Sequence, residues 1–244
     1  MTLQRRRRLI KARRTGVGLV LVLAMSMIAG MADAIGLLMA GDFVSFMSGN
    51  TTRAAIDIGH GNWRHAGVLL GAIGCFIVGN AAGVVIASQI RKRLAGLLIM
   101  VAFLMCLAAM MPMQMTGSAA FYTVVLAMGM INATVETVEG LPIGLTYVTG
   151  ALSRFGRGIG RWITGDRRGD WAIQIVPWLG MITGAIIGGL LELWIGQDAL
   201  WLVAGVTLLV ALYAMVIPTR LQARFLVTSK PVPSKRPAKR PLKY

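Results

Sequence analysis

Six apolar runs, each long enough to cross a bilayer, dominate this chain of 244 residues. A helix needs roughly 20 mostly apolar residues to span a hydrocarbon core of about 30 Å. Hydrophobic residues make up 56% of the chain and charged residues only 14%, a balance that a soluble domain of this size cannot bury. The runs are Val17–Ala40, Ala66–Ser88, Leu94–Met111, Ala119–Val138, Trp171–Leu193 and Leu200–Ile217. The sequence therefore predicts an all-α membrane protein with six transmembrane helices.

Basic residues are distributed unevenly among the segments that connect these runs. If the spans alternate in direction, 23 of the 25 Lys and Arg residues fall on one side of the membrane, and only Arg53 and Arg64 fall on the other. Connections rich in Lys and Arg are retained on the cytoplasmic side. The sequence thus predicts a basic cytoplasmic arm (1–16), a six-span membrane domain (17–217) and a disordered basic cytoplasmic tail rich in Pro and Lys (218–244).

The net charge of +16 indicates anionic partners. Nucleic acid is one class of such partner, but charge that sets topology and attracts anionic lipid headgroups explains the clustering better. We therefore expect membrane lipids at the basic cytoplasmic segments, and no nucleic acid. The arginine-rich start, the first apolar run and Ala32-Asp33-Ala34 also resemble a cleavable signal peptide. Because the apolar run continues past that site, we expect it to stay as the first span.

Two segments of the chain share one pattern of residue types. Phe46–Arg53 (the first motif) and Tyr147–Arg154 (the second motif) both read aromatic, apolar, hydroxyl-bearing residue, Gly, two variable residues, hydroxyl-bearing residue, Arg. Upstream, Met31–Ala34 corresponds to Met130–Ala133. Downstream, two glycine pairs with spacing Gly-x-x-x-Gly correspond: Gly79/Gly83 and Gly184/Gly188. Such pairs are typical of close helix packing in membranes.

These correspondences divide the spans into two halves of three, about 17–111 and 119–217. An odd number of spans in each half forces the second half to enter the membrane in the opposite direction, which is the inverted-repeat arrangement of many secondary transporters. The sequence therefore predicts two inverted three-helix repeats.

The same segments carry a family resemblance. Ala29–Gly36 together with Gly41–Thr51 resembles the first-half signature of the YoaK-like uncharacterised bacterial transmembrane family. Asn132-Ala133, Gly140 and Thr146–Gly150 resemble its second-half signature. The resemblance covers roughly residues 17–217. It implies a bacterial inner-membrane protein of about six spans, with no established activity.

Each motif is also a candidate helix start. Ser48 or Asn50, and Thr149, are residue types that cap helix N-termini, and such termini carry partial positive charge. Two starts buried at membrane depth would suit an anionic solute. In the alternative interpretation, the motifs are interfacial caps whose arginines anchor to headgroups. The candidate residues of the two motifs are Ser48, Gly49, Asn50, Thr51 and Arg53, and Thr149, Gly150 and Arg154.

Ionisable or polar residues inside the spans add three candidates, because such residues are costly in lipid. Asp33 lies deep in the first span, and the repeat pairs it with Asn132. Asn132, Glu136 and Glu139 would form one polar stripe if the fourth span were helical to its end. Asp33, Asn132 and Glu136 are therefore candidate solute-binding residues. Alternatively, Asp33 and Asn132 are hydrogen-bond partners between helices.

Together these features favour a transporter or channel for a small, anionic solute. One alternative is a scaffold or lipid-associated accessory protein whose glycine faces mediate assembly, including assembly into a homo-oligomer. Another is an enzyme acting on lipid, but the sequence has no HExxH or GxSxG motif and no paired catalytic carboxylates. We therefore expect neither enzymatic activity nor a cofactor. The only histidines, His60 and His65, lie near Asp57 but lack further ligand types, so we expect no metal site.

Overall fold

The computed structural model describes residues 3–90, 92–113, 117–133, 137–138, 141–142, 148–167 and 171–218. Within these ranges the chain forms the helices α1 (Leu3–Ala40), α2 (Met47–Gly59), α3 (Trp63–Gln89), α4 (Arg93–Ala109), α5 (Ala119–Asn132), α6 (Val148–Ile163), α7 (Val176–Ile195) and α8 (Ala199–Val216). Short 3-10 helices, Ala172–Ile175 and Gly196–Asp198, precede α7 and α8. Two short strands, β1 (Thr137–Val138) and β2 (Leu141–Pro142), pair antiparallel.

Within the described residues, three helical stretches are long and apolar enough to cross a membrane. They are Thr15–Ala40, Trp63–Gln89 and Ala172–Val216. The third stretch contains α7 and α8, which Gly196 separates with a left-handed φ of 56°. The helices α4 and α5 are also apolar but shorter. Each of the six predicted apolar runs therefore contains a helix, and large apolar side chains remain exposed on α3, α7 and α8, as expected for a surface that faces lipid.

The first helix begins at Leu3, so most of the predicted arm is continuous with it. One helix end differs from the sequence prediction. The fourth run was expected to be helical to Val138, but α5 ends at Asn132 and Thr137–Val138 is a strand. The residues after Asn132 are rich in β-branched Thr and Val and lead to a proline, and both features disfavour helix. Glu136 and Glu139, which with Asn132 make up the predicted polar stripe, lie outside the described residues.

The helices α1 and α7 touch backbone to backbone along a line of glycines. A Cβ added to Gly184 would lie 2.0 Å from the carbonyl oxygen of Met27, and one added to Gly188 would lie 2.6 Å from that of Met31. From the other side, a Cβ on Gly30 would lie 2.3 Å from the Met181 oxygen. Only glycine permits this approach. The predicted packing role of the second glycine pair is confirmed.

The helices α3 and α5 meet in the same manner. A Cβ on Gly79 would lie 2.3 Å from the Leu126 carbonyl oxygen, and one on Gly83 would lie 3.3 Å from the Met130 Cα. In return, a Cβ on Gly129 would lie 2.3 Å from the oxygen of Phe76. The packing role of the first glycine pair is confirmed too. A third pair, α4 with α8, completes the helix core.

The glycine contacts yield a stability prediction. Gly184→Ala should lower the free energy of unfolding by about 1–3 kcal/mol, because the added methyl group overlaps the Met27 backbone and the helices must separate. The matched control is Gly189→Ala on the same helix, where the nearest atom to a Cβ is 4.0 Å away. Thermal unfolding of the purified proteins measures both. Equal midpoints for the two variants would contradict the close contact between α1 and α7.

Candidate functional site

Asp33 organises the segment that joins α1 to α2. Its carboxylate accepts hydrogen bonds from the backbone N–H groups of Val44 (2.9 Å) and Ser45 (2.7 Å), and from the Ser45 hydroxyl. Asp33 is only 4% exposed. The chain can leave α1 here because Gly41 adopts a left-handed φ of 84°. Asp33 thus holds the incoming turn of α2 against the end of α1.

Asn50, on α2, also holds the segment between α1 and α2. Its side-chain amide donates to the carbonyl oxygen of Phe43 (2.7 Å), and its side-chain oxygen accepts from the Phe43 N–H (3.2 Å). Asn50 is fully buried. Where no water reaches, every backbone polar group needs a partner within the protein. Asp33 and Asn50 supply partners to three successive residues, 43 to 45, of non-helical backbone.

The start of α2 differs from the expected capped helix start. Phe46 is the N-cap residue and its side chain makes no capping hydrogen bond, so the predicted capping by Ser48 or Asn50 is wrong. Asn50 is drawn instead to the backbone of Phe43. Ser48 and Thr51 are exposed on α2. Gly49 is required for packing, since a Cβ there would lie 2.6 Å from the Phe46 ring.

Arg53 belongs to a cluster of four charged side chains, Arg53, Asp42, His65 and Asp57, here called the Asp42 cluster. The Arg53 guanidinium donates to the Asp42 carboxylate and to the carbonyl oxygen of Gly41. His65 Nε2 lies 2.8 Å from the same carboxylate, and its Nδ1 lies 2.7 Å from the carboxylate of Asp57. The Asp42 side chain is 2% exposed and that of Arg53 is 43% exposed. The cluster ties the α1–α2 turn to the second half of α2 and to the start of α3.

The charges of the Asp42 cluster balance. Carboxylate oxygens only accept hydrogen bonds, so a histidine whose two ring nitrogens both face carboxylates fits best as the doubly protonated imidazolium. The two positive charges of His65 and Arg53 then equal the two negative charges of Asp42 and Asp57. The two carboxylates approach opposite nitrogens of the His65 ring, so these three side chains do not point toward one shared position for a metal ion. Among the described residues, no group of three or more His, Cys, Asp or Glu side chains could hold a metal ion.

The second motif is built around Arg154. It lies on α6, where Thr149 is exposed and Gly150 is half-buried. The Arg154 Nε donates to the side-chain oxygen of Gln174 at 2.9 Å. Gln174 is 2% exposed and lies in the 3-10 helix that leads into α7. Arg154 thus ties α6 to the start of the next long helix, through a neutral partner.

The polar contacts between the described residues of each motif and other segments fall within its own half. The first motif bonds to the turn after α1, at residues 41–43, and the second to the 3-10 helix before α7. Asp33 binds the backbone at Val44 and Ser45, while the side-chain amide of Asn132 donates to the carbonyl oxygen of Met128 on its own helix at 3.1 Å. Glu136, the remaining candidate, lies outside the described residues.

Sequence reasoning missed two residues of these sites, Asp42 and Gln174, and considered His65 and Asp57 only as metal ligands. Asp42 lies in the segment Gly41–Thr51 that resembles the family signature. Its partner His65 is 23 positions away, so the sequence pattern does not connect the two residues. Gln174 carried a usable signal, because it is a lone amide side chain within an apolar run and such residues in spans are costly to bury.

The Asp33 contacts predict a specific loss of stability. Asp33→Ala should lower the free energy of unfolding by about 2–5 kcal/mol, because two buried N–H groups lose their acceptor. Ser45→Ala, the matched control, removes only the hydroxyl bond and should cost about 1 kcal/mol. Thermal or denaturant unfolding of the two variants provides the measurement. If Asp33→Ala unfolded like the wild type, the carboxylate would not be what holds the turn.

Comparison with known proteins supports assignment of this chain to membrane proteins. A UPF0700 transmembrane protein of Rhizobium meliloti (strain 1021), RA0705, is 53% identical over 226 residues, which are 93% of this chain and 99% of the relative. No solved structure matches significantly. A family model described as a protein of unknown function (DUF1275) matches residues 21–213. The chain, an integral membrane protein by its apolar helices and by this relative, therefore belongs to the DUF1275 family.

Proposed function

We propose that this protein moves a small anionic solute across the bacterial inner membrane through six spans arranged as two inverted repeats. The six spans are α1, α3, α4, α5, α7 and α8. Both termini face the cytoplasm, where 23 of the 25 Lys and Arg residues then lie. The helix α2 lies between the first two spans of the first half, and α6 lies between the first two spans of the second half. These two helices carry the two motifs.

The observation that carries this proposal is the matched packing of the two glycine interfaces. In the proposed repeat, α1 corresponds to α5, α3 to α7 and α4 to α8. When each helix is replaced by its counterpart, the pair α1–α7 becomes α5–α3 and the pair α4–α8 stays the same, so the main helix pairs are unchanged. The match extends to single residues. Gly184 faces Met27 as Gly79 faces Leu126, and Gly30 faces α7 as Gly129 faces α3. A pseudo-twofold relation of this kind is typical of secondary transporters, whose solute sites lie between the repeats.

The preference for an anion rests on the motifs. Each is a short helix with an arginine inside its first two turns, and helix N-termini favour negative charge. The two arginines are not equivalent. Asp42 balances the charge of Arg53, whereas the Gln174 amide that Arg154 contacts is neutral. Attraction of an anion therefore falls mainly to Arg154, and Arg53 contributes mainly by holding α2.

The alternative functions have less support. The scaffold hypothesis relied on glycine faces for assembly, but Gly79, Gly83, Gly184 and Gly188 pack against helices of the same chain. A partner would have to use another surface. The lipid-enzyme hypothesis relied on buried carboxylates, and Asp33 is engaged with the backbone of the α1–α2 turn.

Thiol labelling tests the inverted orientation. In a background with Cys75 and Cys106 replaced by alanine, single cysteines are introduced as His60→Cys, after α2, and Thr164→Cys, after α6; both positions are exposed. A membrane-impermeant maleimide should label the first in intact spheroplasts and the second only after the membrane is opened. Labelling of both positions from the same side would contradict the inversion, because the halves would then enter the membrane in the same direction.

Solute flux tests the proposed activity. Proteoliposomes containing the full chain should take up at least one anion from a panel of labelled inorganic and short carboxylate anions. Arg154→Ala should lower the initial rate by about tenfold or more, and Arg154→Lys, which keeps the charge, should lower it less. Arg64→Ala is the control, since Arg64 is exposed and lies outside both motifs. Unchanged rates in correctly folded Arg154→Ala would show that Arg154 is not part of the solute site.

A further inference from the structure

The helix α6 presents three distinct faces. One face packs against the protein through the buried residues Ala151 and Gly158. A second face exposes apolar side chains, those of Leu152, Ile159 and Ile163. The remaining face is polar and basic and includes the exposed Arg157 and Arg161. A helix with one protein-facing side, one exposed apolar side and one basic side has the composition of helices that lie in a membrane interface.

The protein-facing side holds α6 tightly to the segment before α7. A Cβ on Gly158 would lie 2.3 Å from the side chain of Trp171, so the helix backbone rests directly on the indole. The Phe155 ring meets the same indole edge-on at 5.3 Å. With the bond between Arg154 and Gln174, these contacts fix the orientation of α6 and of its exposed faces.

Charge distinguishes α6 from its first-half counterpart α2. The α6 sequence contains Arg154, Arg157 and Arg161 and no acidic residue. Just beyond its end lie one acidic and one basic residue, Asp166 and Arg167, and the Arg167 guanidinium lies over the Trp162 ring at 4.6 Å. By contrast, α2 contains one arginine and one aspartate, and Asp42 pairs with that arginine. The two helices share a motif, but only α6 has a basic face complementary to an anionic surface.

We propose that α6 is a docking surface for anionic phospholipids of the inner leaflet. Its apolar face inserts among the acyl chains, while Arg157 and Arg161 bind headgroup phosphates through charge-assisted hydrogen bonds. Lipid bound there acts on the start of α7, because Trp171 and Gln174 join the two elements. This inference goes beyond solute transport and rests only on the inward orientation of α6, which the thiol-labelling experiment decides separately.

Hydrogen exchange on the full chain in lipid nanodiscs provides the test. Discs of phosphatidylcholine are compared with discs containing phosphatidylglycerol, and exchange is followed for the amides of residues 148–163. Anionic lipid should slow this exchange by about fivefold or more, because binding stabilises the docked helix. In Arg157→Gln/Arg161→Gln the slowing should fall to less than about twofold. Amides of α4 and α8 report whether the variant stays folded.

Two further arms separate lipid docking from other causes. Lys235→Gln/Lys239→Gln removes the same charge from the basic tail and should retain the full protection of α6. Inorganic phosphate added to phosphatidylcholine discs should give no protection. Equal protection in both lipids, loss of protection in the tail variant, or protection by phosphate alone would each overturn the proposal, the last by indicating a site for a free anion.

Discussion

The close approach of helix backbones at glycine is the contact on which the rest of this structure depends. In lipid, apolar side chains gain little by leaving their surroundings, so helices associate through short-range packing. Gly184 against Met27, and Gly79 against Leu126, allow that packing at backbone distance. Both interfaces join a helix of the first half to one of the second. The halves are therefore interlocked, and each polar turn is attached to a helix that the other half holds in place.

Hydrogen bonds from polar side chains connect these closely packed helices to the first motif. Gly30, one turn before Asp33, lies against α7, so the Asp33 carboxylate has a fixed position. That carboxylate fixes the backbone at Val44 and Ser45, and Asn50 fixes Phe43. The orientation of α2 follows from these bonds. Asp33 and Asn50 thus shape buried non-helical backbone at the start of the first motif, which is a prerequisite for any site built on it.

Local sequence patterns predicted the elements better than the contacts between them. Apolar length predicted the helices, and glycine spacing predicted close packing, because each is a property of a single segment. Glycine spacing could not say that α1 would pair with α7. Hydropathy continued through Val138, but helix ended at Asn132 because β-branched residues and a proline follow. The pairing of Asp42 with His65 joins residues on different elements, so no local pattern contained it.

The two halves are alike in packing and unlike in charge, and this contrast follows from where each motif lies. Packing occurs within the membrane, where both halves meet the same lipid, so the same glycine contacts serve twice. The motifs lie toward opposite surfaces in the orientation we propose. On the outer side Asp42 pairs with Arg53, which leaves little net charge to oppose outward placement. On the inner side of that orientation, the α6 sequence has no acidic residue beside Arg157 and Arg161, so the residues that would retain this helix in the cytoplasm are the same ones that we propose bind anionic lipid.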